Sequence, residues 1–216
     1  ASPMRRSAPM IACQMQILAF SDLHRSDEKA ASLVERAGAD EVDLVIGAGD
    51  FASQHEGLDE AIASLASITK PTLLVPGNNE TADALRDAVS KAGWTSAQVL
   101  HGDSATVDGK EFFGLGAGIP TTPWDWSFDL TEDEATEALD DCPEGAVLIV
   151  HSPPKGHCDQ SGSGDHLGSE AIFSAIESKN PPLAVCGHIH EAWGQTSEVG
   201  PTRIINLGPD GHLLEV

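Results

Sequence analysis

Basic residues are scarce in this chain: twelve lysines and arginines face thirty-four aspartates and glutamates, a formal charge of −22 over 216 residues. Recognition of nucleic acid needs a basic stripe, and none is visible, so long anionic polymers are repelled at low salt and extended nucleic acid is disfavoured as a partner. The acids are dispersed, as at Asp27-Glu28 and Glu132-Asp133-Glu134, and form no long tail. Such a surface suits high ionic strength, and an ordinary acidic cytosolic protein equally. Long apolar runs are missing too: no eighteen consecutive apolar residues occur, so no segment is expected to span a membrane. The four cysteines (Cys13, Cys142, Cys158, Cys186) lie far apart without a CxxC pair. That excludes a disulfide framework or a zinc ribbon and fits a reducing cytoplasm. The first fourteen residues carry Arg5 and Arg6 but no continuous apolar core before a cleavage site, a poor secretory signal. They are read as an extension outside the fold, leaving one domain over residues 15–216. There is no repeat of fixed period and no low-complexity linker.

What is present is an alternation of strands and helices. Residues 15–20 (MQILAF) are short and apolar, and Ser26 is placed to cap a helix carrying Ala30, Leu33, Val34 and Ala37. A second strand over 42–46 ends in Gly49-Asp50, and a helix follows with apolar positions at Leu58, Ala61, Ile62 and Leu65. A third strand over 71–75 stops at Pro76-Gly77, after which Thr81 caps a helix to about Ala92. This pattern calls for a parallel sheet with right-handed crossovers. From Ala97 the rhythm shifts to short pieces around Gly-Asp and Asp-Gly turns, which predicts hairpins, with Asp108-Gly109 the clearest turn. A long loop over 116–129 carries Trp124 and Trp126, and Thr131-x-x-Glu134 opens a helix with a capping box. A strand over 146–150, a Gly- and Pro-rich loop over 152–167, a helix over 169–178 and a strand over 183–186 come next. Hairpins are expected again around Gly200-Pro201 and Asp210-Gly211.

Each strand of the parallel portion ends in groups that bind metal: Asp22-Leu23-His24, Gly49-Asp50, Gly77-Asn78-Asn79, His151, and Gly187-His188-Ile189-His190. Taken singly, each block also reads as a cap, a turn or an exposed pair. Together they are different, because the carboxyl ends of parallel strands share one edge, where residues distant in sequence converge. Seven candidate ligands then meet in one crevice: Asp22, His24, Asp50, Asn78, His151, His188 and His190. Carboxylate, carboxamide and imidazole suit Mn, Fe, Zn or Co, with Mn placed first, and clustered thiolates are lacking. Two such ions can clamp a phosphoryl group and lower the pKa of a bound water, so the expected cofactor is a pair of divalent ions and the expected substrate a small phosphate ester.

The ordered pattern DxH, GD, GN, H, GHxH from Asp22 to His190 resembles the calcineurin-like metallophosphoesterase superfamily. The resemblance implies an α/β fold of two mixed sheets packed as a sandwich flanked by helices. It implies one metal on Asp22, His24 and His190, a second on Asn78, His151 and His188, Asp50 bridging, and a metal-bridging hydroxide as nucleophile. It also implies that Gly49, Gly77 and Gly187 let the backbone turn tightly beside the ions. Asp50, Asn79 and His151 are then the candidate catalytic groups. Two loops, His151-Ser152-Pro153-Pro154-Lys155-Gly156 and Gly187-His188-Ile189-His190-Glu191, resemble small phosphodiesterases of the superfamily and favour diesters, with a phosphomonoesterase or a non-catalytic scaffold of the same fold as alternatives.

One position departs from the family. Where most active members carry His after the metal-ligating Asn, this chain has Asn79, which can donate a hydrogen bond but no proton. Esters with poor leaving groups should suffer most. Glu80, left without its usual partner, is read as a first-turn residue of the next helix. His55 and His157, in the loops after Asp50 and His151, are the candidate replacement acids. Arg25 is a candidate phosphate contact, and Trp124 a candidate stacking surface, in a loop long enough to be functional.

Overall fold

The computed structural model describes residues 14–216. Apart from Gln14, the expected N-terminal extension, with Cys13, lies outside the described residues. The first half alternates: β1 (Gln16–Phe20), α1 (Asp27–Ala37), β2 (Leu44–Ala48), α2 (Leu58–Leu65), β3 (Thr72–Val75), α3 (Ala82–Lys91) and β4 (Ala97–Val99). The second half runs β5 (Asp103–Val107), β6 (Lys110–Leu115), α4 (Glu132–Asp140), β7 (Val147–Val150), α5 (Glu170–Lys179), β8 (Leu183–Cys186), β9 (Thr196–Val199), β10 (Thr202–Asn206) and β11 (His212–Glu215). Two mixed sheets result, ordered β11-β1-β2-β3-β4 and β5-β6-β7-β8-β10-β9. The two inner faces pack Ile17, Leu44, Ile46, Val75, Phe112, Val147 and Ile149 into a shared core. The outer face of the first sheet is covered by α1 to α3 and that of the second by α4 and α5. This is the sandwich that the family resemblance implied.

Strand residues sort by alternation. In β1, Ile17 and Ala19 enter the core between sheets, while Leu18 and Phe20 pack under the helices. Both faces are buried, which is why the strand is continuously apolar. Helix starts follow local chemistry: Ser26, Thr81 and Ser169 each accept a backbone N–H of their own first turn, and Thr131 and Glu134 form the reciprocal capping box.

Two hairpin expectations are corrected. β4 does not fold back but lies parallel to β3, with Leu73 opposite Gln98, as the edge of the first sheet. Asp210-Gly211 does not join neighbours either: β10 pairs with β8 in the second sheet, whereas β11 crosses over to lie antiparallel to β1 in the first. A turn signal marks where the chain reverses, and the choice of sheet is left to which apolar face needs covering. The β5–β6 hairpin does form, with both turn residues, Asp108 (φ 49°) and Gly109 (φ 79°), left-handed as its two-residue connection demands.

The 152–169 loop is organised around a buried carboxylate. Gly156 and Gly168 donate their backbone N–H to Asp159 Oδ2, each at 2.9 Å, and the His166 ring sits 2.6 Å from Oδ1. Burial raises the Asp159 pKa, but His166 and the two amides outweigh it and hold the group below the usual carboxylate range. A carboxylate depressed in the folded state stabilises above its unfolded pKa of about 3.9 and loses that contribution as pH falls through the lower folded value. Asp159→Ala should therefore cost about 2 kcal/mol at pH 7 in urea unfolding, and the gap from the native chain should narrow as pH falls below about 3.9 and through the lower folded value. A gap unchanged across that range would show that charge is not what Asp159 contributes.

Candidate metal centre

All five ligand blocks sit where parallel strands end, and the first two loops are zipped together. Asp22 donates its N–H to the Gly49 carbonyl (2.9 Å), His24 to Asp50 (3.0 Å) and Arg25 to Phe51 (3.0 Å). Asp22, His24, Asp50 and His188 all lie in the left-handed backbone region, with φ of 54°, 43°, 60° and 68°. For residues with a side chain this conformation is costly, and it persists only where the surroundings over-determine it. Close approach is built in as well: a Cβ on Gly77 would lie 2.0 Å from Asp50 Oδ1, and one on Gly187 2.4 Å from Asp22 Oδ2. Only glycine admits the carboxylates at these points.

Two groups of ligand atoms form, Asp22 with His24 and His190, and Asp50 with His151 and His188, each with its atoms within 4.8 Å of one another. Asp50 lies between them: Oδ2 is 3.6 Å from His24 Nε2 and Oδ1 is 3.4 Å from His151 Nε2. Asn78 Oδ1 sits 3.3 Å from His151 Nε2 and 3.1 Å from His188 Nδ1. Across the other group, His24 Nε2 and His190 Nε2 are 3.2 Å apart. Outer contacts fix ring orientation. His151 Nδ1 donates to the Ala48 carbonyl at 2.8 Å and His24 Nδ1 to that of Ala52 at 3.1 Å, so both Nε2 atoms face the centre. The donor set is carboxylate, carboxamide and imidazole without a thiolate, and it fits two borderline divalent ions.

Charge is concentrated here. Burial disfavours the protonated His151, yet Asp50, through its charge and its hydrogen bond, raises that imidazole to about 9. His188 moves the other way, lowered to about 4 by burial and by the neighbouring His151. The His190 pKa is raised, mainly by its contact with Asp22.

Glu80 corrects the sequence reading. It precedes the Thr81 cap and is completely buried, outside the helix. Its carboxylate accepts backbone N–H groups from Gly77 (2.7 Å), Asp50 (2.8 Å) and Ala52 (3.0 Å), tying the β2 loop to the β3 loop. Burial and the adjacent Asp50 raise its pKa to about 7. Ser127 is a second residue that sequence reasoning missed: it accepts Asn78 Nδ2 at 2.9 Å, which points Oδ1 towards the two histidines. An acidic residue directly beside a ligand block was the available signal for Glu80; nothing local marked Ser127.

Above the ligands opens a cavity of about 910 Å³. Arg25, Asn79 and Trp124 line it, as expected. Asn79 is buried and anchored to Asp50, donating its backbone N–H to Oδ1 (2.9 Å) and its amide to Oδ2 (2.7 Å), while Gln54 donates to its Oδ1 at 2.7 Å. His55 and His157 are not brought to the cavity. The His55 ring is hydrogen-bonded to the Trp126 carbonyl, and His157 stacks on Phe173 with its Nδ1 2.7 Å from Ser197 Oγ. Those contacts are satisfied by packing, which took precedence over position in the loop.

Residues 15–192 match the family model described as calcineurin-like phosphoesterase. The chain belongs to that family. It is 32% identical over 124 residues to a UPF0046 protein of Caenorhabditis elegans, covering 53% of this chain and 31% of the relative. It is 28% identical over 198 residues to metallophosphoesterase domain-containing protein 1 of Homo sapiens, covering 76% of this chain and 59% of that one. The chain thus spans about a third of the first relative and under two thirds of the second. The crystal structure of TT1561 of Thermus thermophilus shares the fold, with a TM-score of 0.73 at 16% identity over 91% of this chain and 90% of that one. Within this family the two Asp/His groups form a pair of candidate metal sites consistent with a dinuclear centre. Among the described residues no helix is long and apolar enough to cross a membrane.

Because Glu80 satisfies three backbone amides at once, Glu80→Ala should lower the unfolding free energy by about 3 kcal/mol in urea. A loss under about 1 kcal/mol would mean that water replaces the carboxylate at no cost.

Proposed function

We propose that the chain hydrolyses small phosphodiesters, with Asp22, His24 and His190 holding one divalent ion, Asn78, His151 and His188 a second, and Asp50 shared between them. The observation that carries this reading is the position of Asp50, whose two oxygens face the two ligand groups on the floor of an open cavity. Two bound divalent ions supply phosphoryl polarisation and an activated water. Mn, Fe, Zn and Co are all compatible with such a donor set, and of these we place Mn first.

The preference for diesters rests on charge. Among the described residues, Arg25 is the one lysine or arginine lining the cavity, while Glu56 and Glu191 also line it. With Asp22 and Asp50 beneath, two divalent ions would leave little net positive charge, less than is needed to offset a dianionic monoester and nearer to what a monoanionic diester requires. Asn79 supplies hydrogen bonds and no proton, so good leaving groups are favoured. One wall carries Pro120, Pro123, Trp124 and Trp126; the two indoles stack at 5.5 Å and 9°, and Trp124 is half exposed. That wall supports an ester bearing a flat aromatic group. The buried free thiols of Cys142, Cys158 and Cys186 support a reducing, cytoplasmic setting.

Mn-loaded protein should turn over bis-p-nitrophenyl phosphate with a higher kcat/KM than p-nitrophenyl phosphate, and Asp50→Ala should abolish both. Silence above that control with Mn, Fe, Zn and Co would rule hydrolysis out, and a monoester preference would rule out the diester assignment. Trp124→Ala should raise KM for the aryl diester about tenfold with little change in kcat, and leave a dialkyl diester unaffected. Equal losses on both substrates would remove Trp124 from the binding surface.

A further inference from the structure

Trp193 played no part in the sequence reading, yet it touches two ligands of the same group. It follows a single 3₁₀ turn, His190–Ala192, donates its backbone N–H to the His190 carbonyl at 3.2 Å, and so folds back over the site. Its indole Nε1–H donates to Asp22 Oδ2 at 3.2 Å. Its ring lies 4.4 Å from the His190 ring, tilted by 31°. Space for it is made by Gly208, where a Cβ would come within 2.8 Å of Trp193 Cγ. Gly208 also donates its N–H to Ser21 Oγ at 2.9 Å, and that hydroxyl in turn hydrogen-bonds Asp22 Oδ2.

The two oxygens of Asp22 are thereby made unequal. Oδ2 is taken by the indole and the Ser21 hydroxyl, with the Gly187 backbone pressed close against it, while the His188 backbone N–H is shared between the two oxygens, at 3.1 Å from Oδ1 and 3.2 Å from Oδ2. Oδ1 is the oxygen that faces His190 Nε2, at 3.6 Å. Held this way, Asp22 presents one defined oxygen to the centre, and His190, about half exposed, is kept from swinging outwards by the ring beside it.

We infer that Trp193 is a positioning residue for the Asp22–His24–His190 metal subsite, setting the carboxylate with its N–H and confining the imidazole with its ring. Partners of this kind are generally worth about 10- to 100-fold in metal affinity. The inference depends on the dinuclear centre but not on any particular substrate, and its test needs no turnover. Metal-free protein, stripped with chelator, is titrated with Mn by calorimetry, and bound metal is counted after gel filtration.

The native chain should take up two ions. Trp193→Phe, which keeps a ring but loses the donor, should weaken one of them about tenfold; Trp193→Leu, which loses both, should weaken the same ion about a hundredfold. The other ion should bind as in the native chain. Thermal unfolding of the metal-free variants reads the fold separately, and Trp193→Phe should unfold within a few degrees of the native protein. Native affinity for both ions in Trp193→Phe would overturn the inference, and so would equal weakening of both ions, the mark of a merely structural role. A native chain that binds fewer than two ions would overturn the dinuclear centre itself, and this inference with it.

Discussion

One carboxylate, Asp50, is taken out of water where the two sheets meet, and the surrounding structure is arranged to make that tolerable. A buried, unpaired carboxylate costs several kcal/mol. Here the charge is met by His151 and His24 and by two N–H donors of Asn79. Burial pushes the Asp50 pKa up, but the imidazoles, His151 foremost, hold it well below the usual carboxylate range. Glu80 has the opposite task. It spends its oxygens on backbone amides and none on the cavity, which leaves the oxygens of Asp50 facing the ligand histidines. Two neighbouring carboxylates thus differ by role, the deeper one building the loops and the shallower one facing the site.

Left-handed backbone at four ligand residues follows from the same constraint. A short loop at a strand end can aim a side chain back across the strand edge only by reversing sharply, and the zippered bonds between the β1 and β2 loops hold that reversal in place. Strain of about 1 kcal/mol or more per residue is sustainable because the sandwich below is rigid and densely packed. It also fixes these candidate ligands in advance, so little ordering would remain to oppose the binding of an ion.

Much of this was legible in the sequence, for reasons that separate local from non-local physics. The caps at Ser26, Thr81 and Thr131 and the Asp108-Gly109 turn are decided within four residues, and all formed as expected. The seven candidate ligands were readable because each closes a parallel strand, and parallel strands bring their ends to one edge. The placement of β4 and β11 was not legible, since pairing partners are chosen by non-local burial. Nor were the positions of His55 and His157, which depend on the Trp126 carbonyl, Phe173 and Ser197, residues far along the chain. Glu80, Ser127 and Trp193 act on the ligands through contacts that only the folded chain creates.

The ligands are also divided between the sheets. Asp22, His24, Asp50 and Asn78 follow strands of the first, whereas His151, His188 and His190 follow strands of the second. Each candidate metal group therefore contains residues from both, and neither sheet alone could complete one. The candidate centre is therefore complete only when the sandwich is closed, with the shared apolar core holding the two halves of the ligand set in register. An ion bound there would join the sheets at their polar edge as the core joins them within, and would stabilise the fold in proportion to its affinity for the closed state. Divalent cations held there would add positive charge beside the buried Asp22 and Asp50, in a chain whose acidic residues far outnumber its basic ones.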